Sequence, residues 1–211
     1  MVVDWPGAGQ SEIRVAGRGL VNTDTDKPIA DLVSSYFGGS FGSRLMKTIR
    51  VEKGATYGVH GGFHASRFAG DFVVGTFTKT PSTAETLKLV LSEIRGLVDR
   101  PPTMEELTLH RRSFLGSAAA RFETPEQVAD YMARVSLNNF PLDHLKRTLA
   151  TIASAERPQC EALVKRLVDP EHLLIVVVGD ATVVAESLRA IAPVTLLDRS
   201  GRPMTPNPTT Q

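Results

Sequence analysis

The sequence has a single cysteine, Cys160, among its 211 residues. One cysteine cannot form an internal disulfide, so cysteine usage does not reveal a redox compartment. Cys160 lies in a polar stretch with helical spacing and has no neighbouring histidine or asparagine. We therefore interpret it as a small, half-buried residue in preference to a catalytic thiol. A chain of this length can bury a sizeable core without covalent or metal crosslinks.

The sequence also lacks a surplus of charge and a long apolar run. It has 24 basic and 23 acidic residues, a net charge of +1, and no basic block. This balance argues against nucleic acid as a partner. The longest apolar run, Leu173 to Val178, has the length of a buried strand, so we expect no membrane insertion. The N-terminus, MVVDWPGAGQ, does not resemble a signal peptide, and we interpret it as a linker within a longer protein.

Motifs of several enzyme classes are missing as well. None of the histidines belongs to an H-E-x-x-H or H-x-x-E-H zinc motif. His60 and His64 share one side of a strand without an acidic third ligand, which favours two partly exposed strand histidines over a metal site. The glycine-rich stretch at residues 38–44 follows a helix and lacks the Lys-Ser/Thr of a phosphate loop. We therefore expect neither a metal nor a cofactor in this chain.

The spacing of apolar residues along the sequence predicts strands and helices in a mixed order. The predicted strands are Gln10–Leu20, a hairpin of Tyr57–Ser66 and Asp71–Lys79, His172–Val178, and an edge strand Val194–Leu197. The predicted helices are Lys27–Phe37, Gly42–Glu52, Ser82–Val98, one from Thr103 to Phe122, three beginning at Thr124, Pro141 and Arg157, and Thr182–Ile191. A hairpin among helices favours an α+β fold over a doubly wound parallel sheet. Residues 1–199 are expected to form one domain, and residues 200–211, rich in proline and threonine, a disordered tail.

One segment of the sequence carries more specific information than the pattern of strands and helices. Residues 38–59 read GGSFGSRLMKTIRVEKGATYGV. This segment resembles the C-terminal-type domain of M16 peptidases, the pitrilysin and mitochondrial processing peptidase family. The same resemblance continues in PGAGQSEIRV, ETPEQVADYMA, PLDHL and DPEHLLIVVVGD, and covers residues 5–198 in register.

The resemblance implies a two-layer α+β domain: a mixed, largely antiparallel sheet with helices packed on one face. It also implies a shared active site, in which a separate M16 domain or subunit carries H-x-x-E-H and the zinc. The domain without zinc contributes an arginine and a tyrosine to substrate binding and catalysis, and Arg50 and Tyr57 match that pattern. The expected partners are the zinc-bearing domain and a peptide substrate. The resemblance favours a soluble protein of the bacterial periplasm or cytoplasm.

Simple chemistry is consistent with these roles for Arg50 and Tyr57. A phenol can donate a hydrogen bond to a developing oxyanion, and a guanidinium can bind a neighbouring carbonyl. Each residue also has a purely structural explanation. Arginine is favourable near a helix C-terminus, and tyrosine is common at the start of a strand. Arg44, in the Ser-Arg-Leu of the segment, is expected to have only a structural role, tying the glycine-rich break to the helix by hydrogen bonds.

A second function remains open at this point. Some M16 relatives have lost peptidase activity and serve as scaffold or assembly subunits. A domain that has lost its catalytic role does not require both Arg50 and Tyr57, so their joint presence favours a peptidase component over a scaffold.

Overall fold

The computed structural model describes residues 1–204, apart from the side chain of Arg121. Within these residues, six strands form one mixed sheet in the order β3-β4-β2-β5-β1-β6. The strands are β1 (Val2–Asp4), β2 (Gln10–Arg18), β3 (Val59–His64), β4 (Asp71–Lys79), β5 (Leu174–Gly179) and β6 (Leu196–Leu197). The pairs β3–β4, β4–β2 and β2–β5 are antiparallel, whereas β1 is parallel to both β5 and β6.

The helices are α1 (Lys27–Phe37), α2 (Thr83–Asp99), α3 (Met104–Gly116), α4 (Pro125–Leu137), α5 (His144–Ser154), α6 (Arg157–Leu167) and α7 (Ala181–Arg189). Short 3-10 turns cover Thr80–Ser82 and Ala119–Phe122, and Met46–Glu52 is a π-helix. None of the helices in this described part of the chain has both the length and the apolar character that crossing a bilayer would require.

The helices pack on one face of the sheet. Alternate residues of β2, namely Ser11, Ile13 and Val15, are fully buried on that face, while Glu12 and Arg14 point to the other side and are exposed. This alternation is typical of an antiparallel sheet with one covered face. The expected two-layer α+β fold, with a mixed and largely antiparallel sheet, is confirmed. The side without helices is called the open face below.

A continuous core fills the space between the sheet and the helices. Aromatic rings connect the two layers: Phe72 of β4 stacks on Phe37 of α1, with ring centroids 5.8 Å apart, and contacts Phe63 of β3 at 5.0 Å. All three rings are buried. Cys160 is buried as well, and burial raises the pKa of its thiol to about 11. Its interpretation as a packing residue agrees with this position.

Both edges of the sheet are covered. At β3, the Phe63 N–H donates to Ser34 Oγ at 2.8 Å, and the Gly61 N–H donates to the Gly38 carbonyl at 3.4 Å. At β6, the Met204 N–H donates to the Leu196 carbonyl at 2.9 Å. Covered edges disfavour uncontrolled pairing with other chains. Residues 200–204 of the predicted tail thus lie against β6, and residues 205–211 lie outside the described residues.

Some sequence predictions differ from the structure. The expected N-terminal linker is wrong at Val2–Asp4, which pairs between β5 and β6 as strand β1. The helix predicted from Thr103 to Phe122 ends at Gly116, and a separate 3-10 turn follows. The helix predicted from Pro141 begins at His144. The helices predicted from Thr103 and Thr124 begin at the following residue, and in the structure both threonines form capping boxes.

Candidate functional site

The segment between α1 and β3 forms a helical turn that is wider than predicted. Met46–Glu52 is a π-helix, not the α-helix expected over Gly42–Glu52. The Lys53 N–H donates to the Thr48 carbonyl at 3.1 Å, and the Ala55 N–H donates to the Ile49 carbonyl at 3.0 Å. Gly54 ends this turn with φ at +60°, as expected for a glycine in a left-handed cap. Short π-helical stretches are frequent at functional sites.

The inner side of the π-helix is fixed in the core. Ile49 and the preceding Leu45 have no exposed surface, and Met46 is 8% exposed. Arg50 and Val51 follow Ile49 directly, so they lie outside this buried stripe, half-buried and exposed respectively. A rigid inner side therefore supports an accessible outer side.

Threonine side chains fix the loop that follows Gly54. Thr56 Oγ1 donates to the Phe77 carbonyl of β4 at 2.5 Å and accepts from the Gly58 N–H at 3.1 Å. Thr78 Oγ1 donates to the Ala55 carbonyl at 2.7 Å. Thr76 Oγ1 donates to the Gly58 carbonyl at 2.9 Å, so the loop is hydrogen-bonded to β4 on both sides of Tyr57.

Arg50 has no ionic partner within residues 1–204. Its guanidinium lies over the ring of Phe41, with Cζ 5.1 Å from the ring centroid. Phe41 itself is 70% exposed, in the glycine-rich break between α1 and the π-helix. A cation over an aromatic face is weakly attracted to it and keeps its N–H donors free. Phe41 was not among the residues predicted from the sequence. The feature that could have identified it is a large apolar residue between glycines, at a position where no core periodicity requires one.

Tyr57 is similarly accessible. Its side chain is 79% exposed, and no hydrogen bond to its hydroxyl is present in the described part of the chain. The structure thus places Arg50 and Tyr57 at the two ends of one anchored turn, residues 50–57.

Arg44 contrasts with Arg50 in every respect. Its side chain is 13% exposed, and its Nε donates to Glu93 Oε2 at 2.6 Å. Its Nη1 donates to the carbonyls of Gly96 and Arg100, both at 3.0 Å. These carbonyls belong to the C-terminal turn of α2, where a cation is favourable. The expected structural role is confirmed, although Arg44 ties the segment to α2 and not to its own helix.

Two concavities lie beside or away from this turn, and the smaller one includes Lys47, Thr48 and Glu52 of the π-helix in its lining. A cavity of about 460 Å³ adjoins Arg44 and is lined by Tyr36, Glu93, Glu106 and His110. A cleft of about 800 Å³ opens between α1, α4 and α5. Neither Arg50 nor Tyr57 lines either of them. The candidate site is therefore an exposed surface and not a closed pocket.

The histidines do not form a metal centre within the described residues. No group of three His, Cys, Asp or Glu side chains gathers there with metal-binding geometry. His64 Nδ1 lies 2.8 Å from Asp71 Oδ1 on the open face. His60 is exposed on the same face, and burial of its ring, followed by the nearby Arg14, lowers its pKa.

Comparison with known proteins identifies relatives of the whole fold. A family profile described as the peptidase M16 inactive domain matches residues 3–114. The crystal structure of a peptidase M16 inactive domain from Pseudomonas fluorescens is 26% identical, with a TM-score of 0.79, over 85% of this chain and 43% of that one. The "inactive peptidase domain of a putative zinc protease" from Bordetella parapertussis has a TM-score of 0.69 at 15% identity, over 80% of this chain and 92% of that one. At that identity, only the fold is shared.

A curated relative has a different description. The "non-peptidase homolog YmxG" of Helicobacter pylori is 35% identical over 88 residues, which is 41% of this chain and 20% of that protein. The chain thus spans about a fifth of the curated relative, and 43% of the Pseudomonas structure. The periplasmic protease PqqL of Escherichia coli shares the fold, with a TM-score of 0.70 at 11% identity.

Proposed function

The chain belongs to the M16 peptidase family as an inactive-type domain, and from this premise we propose that it is the non-zinc half of an M16-type zinc metalloendopeptidase. In this proposal, a second M16 domain or subunit supplies the zinc and its H-x-x-E-H ligands. The described residues of this chain do not fit a zinc site, since no three ligating side chains gather among them. Zinc would supply the hydrolytic chemistry from the partner's side.

One observation supports the proposal: among residues 1–204, Arg50 has no salt bridge and the Tyr57 hydroxyl no hydrogen bond, yet the turn that carries them is anchored to the core and the sheet. A functional donor must be held in place before the substrate arrives, because preorganised donors are worth most in the transition state. Thr56 and Thr78 hold the loop, and Phe41 supports the guanidinium. A structural arginine would show the contacts of Arg44 instead.

The roles follow from the chemistry of the two groups. When the scissile carbonyl of a peptide is attacked, negative charge develops on its oxygen. The Tyr57 hydroxyl would donate a hydrogen bond to that oxygen, stabilising it by about 3 kcal/mol. The Arg50 guanidinium would bind a neighbouring backbone carbonyl of the substrate with its fork of N–H donors. An exposed surface suits these two roles, since the partner domain would close the site from the other side.

A non-catalytic scaffold is the second candidate, and the description of the Helicobacter relative as a non-peptidase homolog favours it. In that case Arg50 and Tyr57 would be ordinary surface residues. The two proposals differ in one observable: whether peptide cleavage requires this chain.

The test is a cleavage assay with quenched fluorescent peptides. This chain, the zinc-bearing half and their mixture are compared, each with and without a zinc chelator. We expect cleavage only by the mixture, and its loss with the chelator. A mixture that forms a complex but cleaves nothing would establish the scaffold instead.

A further inference from the structure

On the open face of the sheet, an arginine and a histidine side chain converge on one point. Arg14 of β2 and His60 of β3 both pair with Gly75 of β4, one from each side. A Cβ atom built on Gly75 would lie 2.6 Å from His60 Nε2 and 3.2 Å from Arg14 Cζ. Both side chains therefore lean over the glycine, into the space that any other residue would fill.

Among residues 1–204, an acidic side chain is hydrogen-bonded to Arg14 and none is hydrogen-bonded to His60. Glu12 Oε2 accepts from Arg14 Nη1 at 2.9 Å, and Nη1 also donates to the Ile13 carbonyl. The described hydrogen bonds of Arg14 all use Nη1, so its Nε and Nη2 donors stay available among residues 1–204. Burial lowers the pKa of His60 below its usual range, and the nearby Arg14 and His64 lower it further. Glu12 acts in the opposite direction. An anion bound between the guanidinium and the imidazole would favour the protonated imidazole.

The surroundings strengthen such an interaction. Val73 and Phe77, which flank Gly75 on the same face of β4, and Val176, which pairs with Arg14, are all half-buried apolar residues. Charged hydrogen bonds beside apolar groups are less screened than in open water. The strand that contains His60 begins two residues after Tyr57, so His60 lies three residues along the chain from the candidate site.

We propose that Arg14 and His60, converging over Gly75, form a subsite for a carboxylate of the peptide substrate. The proposal rests on the proposed function and adds a preference to it: peptides with an acidic group should bind better than neutral ones. Arg14 would donate from Nη2 or Nε, and His60 from a ring N–H, to the two carboxylate oxygens. The carboxylate belongs either to an Asp or Glu side chain or to a peptide C-terminus.

The test is peptide binding to the full chain, followed by NMR of the histidine ring signals. One pair of peptides, blocked at both ends, differs only by Glu against Gln. A second pair has a free or an amidated C-terminus. We expect the Glu peptide to bind about 10-fold more tightly than the Gln peptide, the usual effect of a charge-assisted hydrogen bond. We also expect binding to raise the pKa of His60.

Single-residue variants test which side chains cause the preference for the acidic peptide. Arg14→Gln and His60→Gln should remove the preference, whereas Arg18→Gln, the same change at an exposed position of β2, should keep it. A preference confined to the free C-terminus supports the subsite for chain ends. The proposed subsite would be overturned by equal affinity within both peptide pairs or by no binding of any peptide. It would also be overturned if Arg18→Gln removed the preference to the same extent. If the same peptides are still cleaved by the assembled halves, the subsite alone has failed and the proposed function stands.

Discussion

The two arginines of the segment at residues 38–59 should respond to mutation in opposite ways. Replacing Arg44 by methionine leaves Glu93, whose side chain is 10% exposed, without its partner. It also leaves the carbonyls of Gly96 and Arg100 without a donor. Breaking a buried ion pair from one side costs about 3–5 kcal/mol in the free energy of unfolding. For a chain of this size we expect Tm to fall by about 10 °C.

The assay is thermal and urea unfolding followed by circular dichroism. Arg50→Met is the matched control, because Arg50 has no ionic partner among the described residues; its free energy of unfolding should change by less than about 0.5 kcal/mol. The double variant Arg44→Met/Glu93→Met should be more stable than Arg44→Met alone, since it removes both charges together. If Arg44→Met costs less than about 1 kcal/mol, or if the two changes are additive, the buried pair does not have the assigned role.

Other consequences of the packing can be measured on the same chain. Gly96→Ala should destabilise it, because the added Cβ would lie 2.2 Å from Arg44 Nη2; unchanged urea unfolding would contradict this contact. Cys160 should not react with a thiol reagent at pH 8 until the chain is unfolded, because it is buried and its pKa is raised to about 11; rapid reaction of the native chain would contradict that burial. Burial lowers the pKa of His110, so the folded state binds fewer protons than the unfolded state below the usual histidine pKa of about 6.5. Stability should therefore fall as the pH drops through that value, and His110→Gln should reduce the slope; an equal slope would show that other groups cause it.

The sequence was sufficient for the elements with strong local signals. The helix starts after Thr103 and Thr124 and the helix end at Glu52 were predicted correctly, because those boundaries depend on residues within a few positions. Strand β1 was missed since three residues next to a proline and two glycines carry no periodicity. Its hydrogen bonds come from β5 and β6, which lie more than 170 residues further along the chain.

The candidate site was predictable only in part. Arg50 and Tyr57 follow from a resemblance of residues, and their roles stay a prediction. The π-helix could not be predicted from apolar spacing, because Leu45, Met46 and Ile49 suit an α-helix equally well. The convergence of Arg14 and His60 depends on the register of three strands and on the missing side chain of Gly75, which no local pattern reveals.

The most direct test of the central claim is the kcat/KM of the assembled halves after substitution in this chain. Tyr57→Phe removes a single hydroxyl, and Arg50→Ala removes the guanidinium. Arg67→Ala is the control, because Arg67 also lies over an exposed ring, that of Phe68 at 5.4 Å, but in the turn between β3 and β4. We predict that Tyr57→Phe lowers kcat/KM about 100-fold, the usual effect of losing one oxyanion donor, that Arg50→Ala lowers it through lost substrate binding, and that Arg67→Ala leaves it unchanged. Full kcat/KM in both Tyr57→Phe and Arg50→Ala would contradict the account.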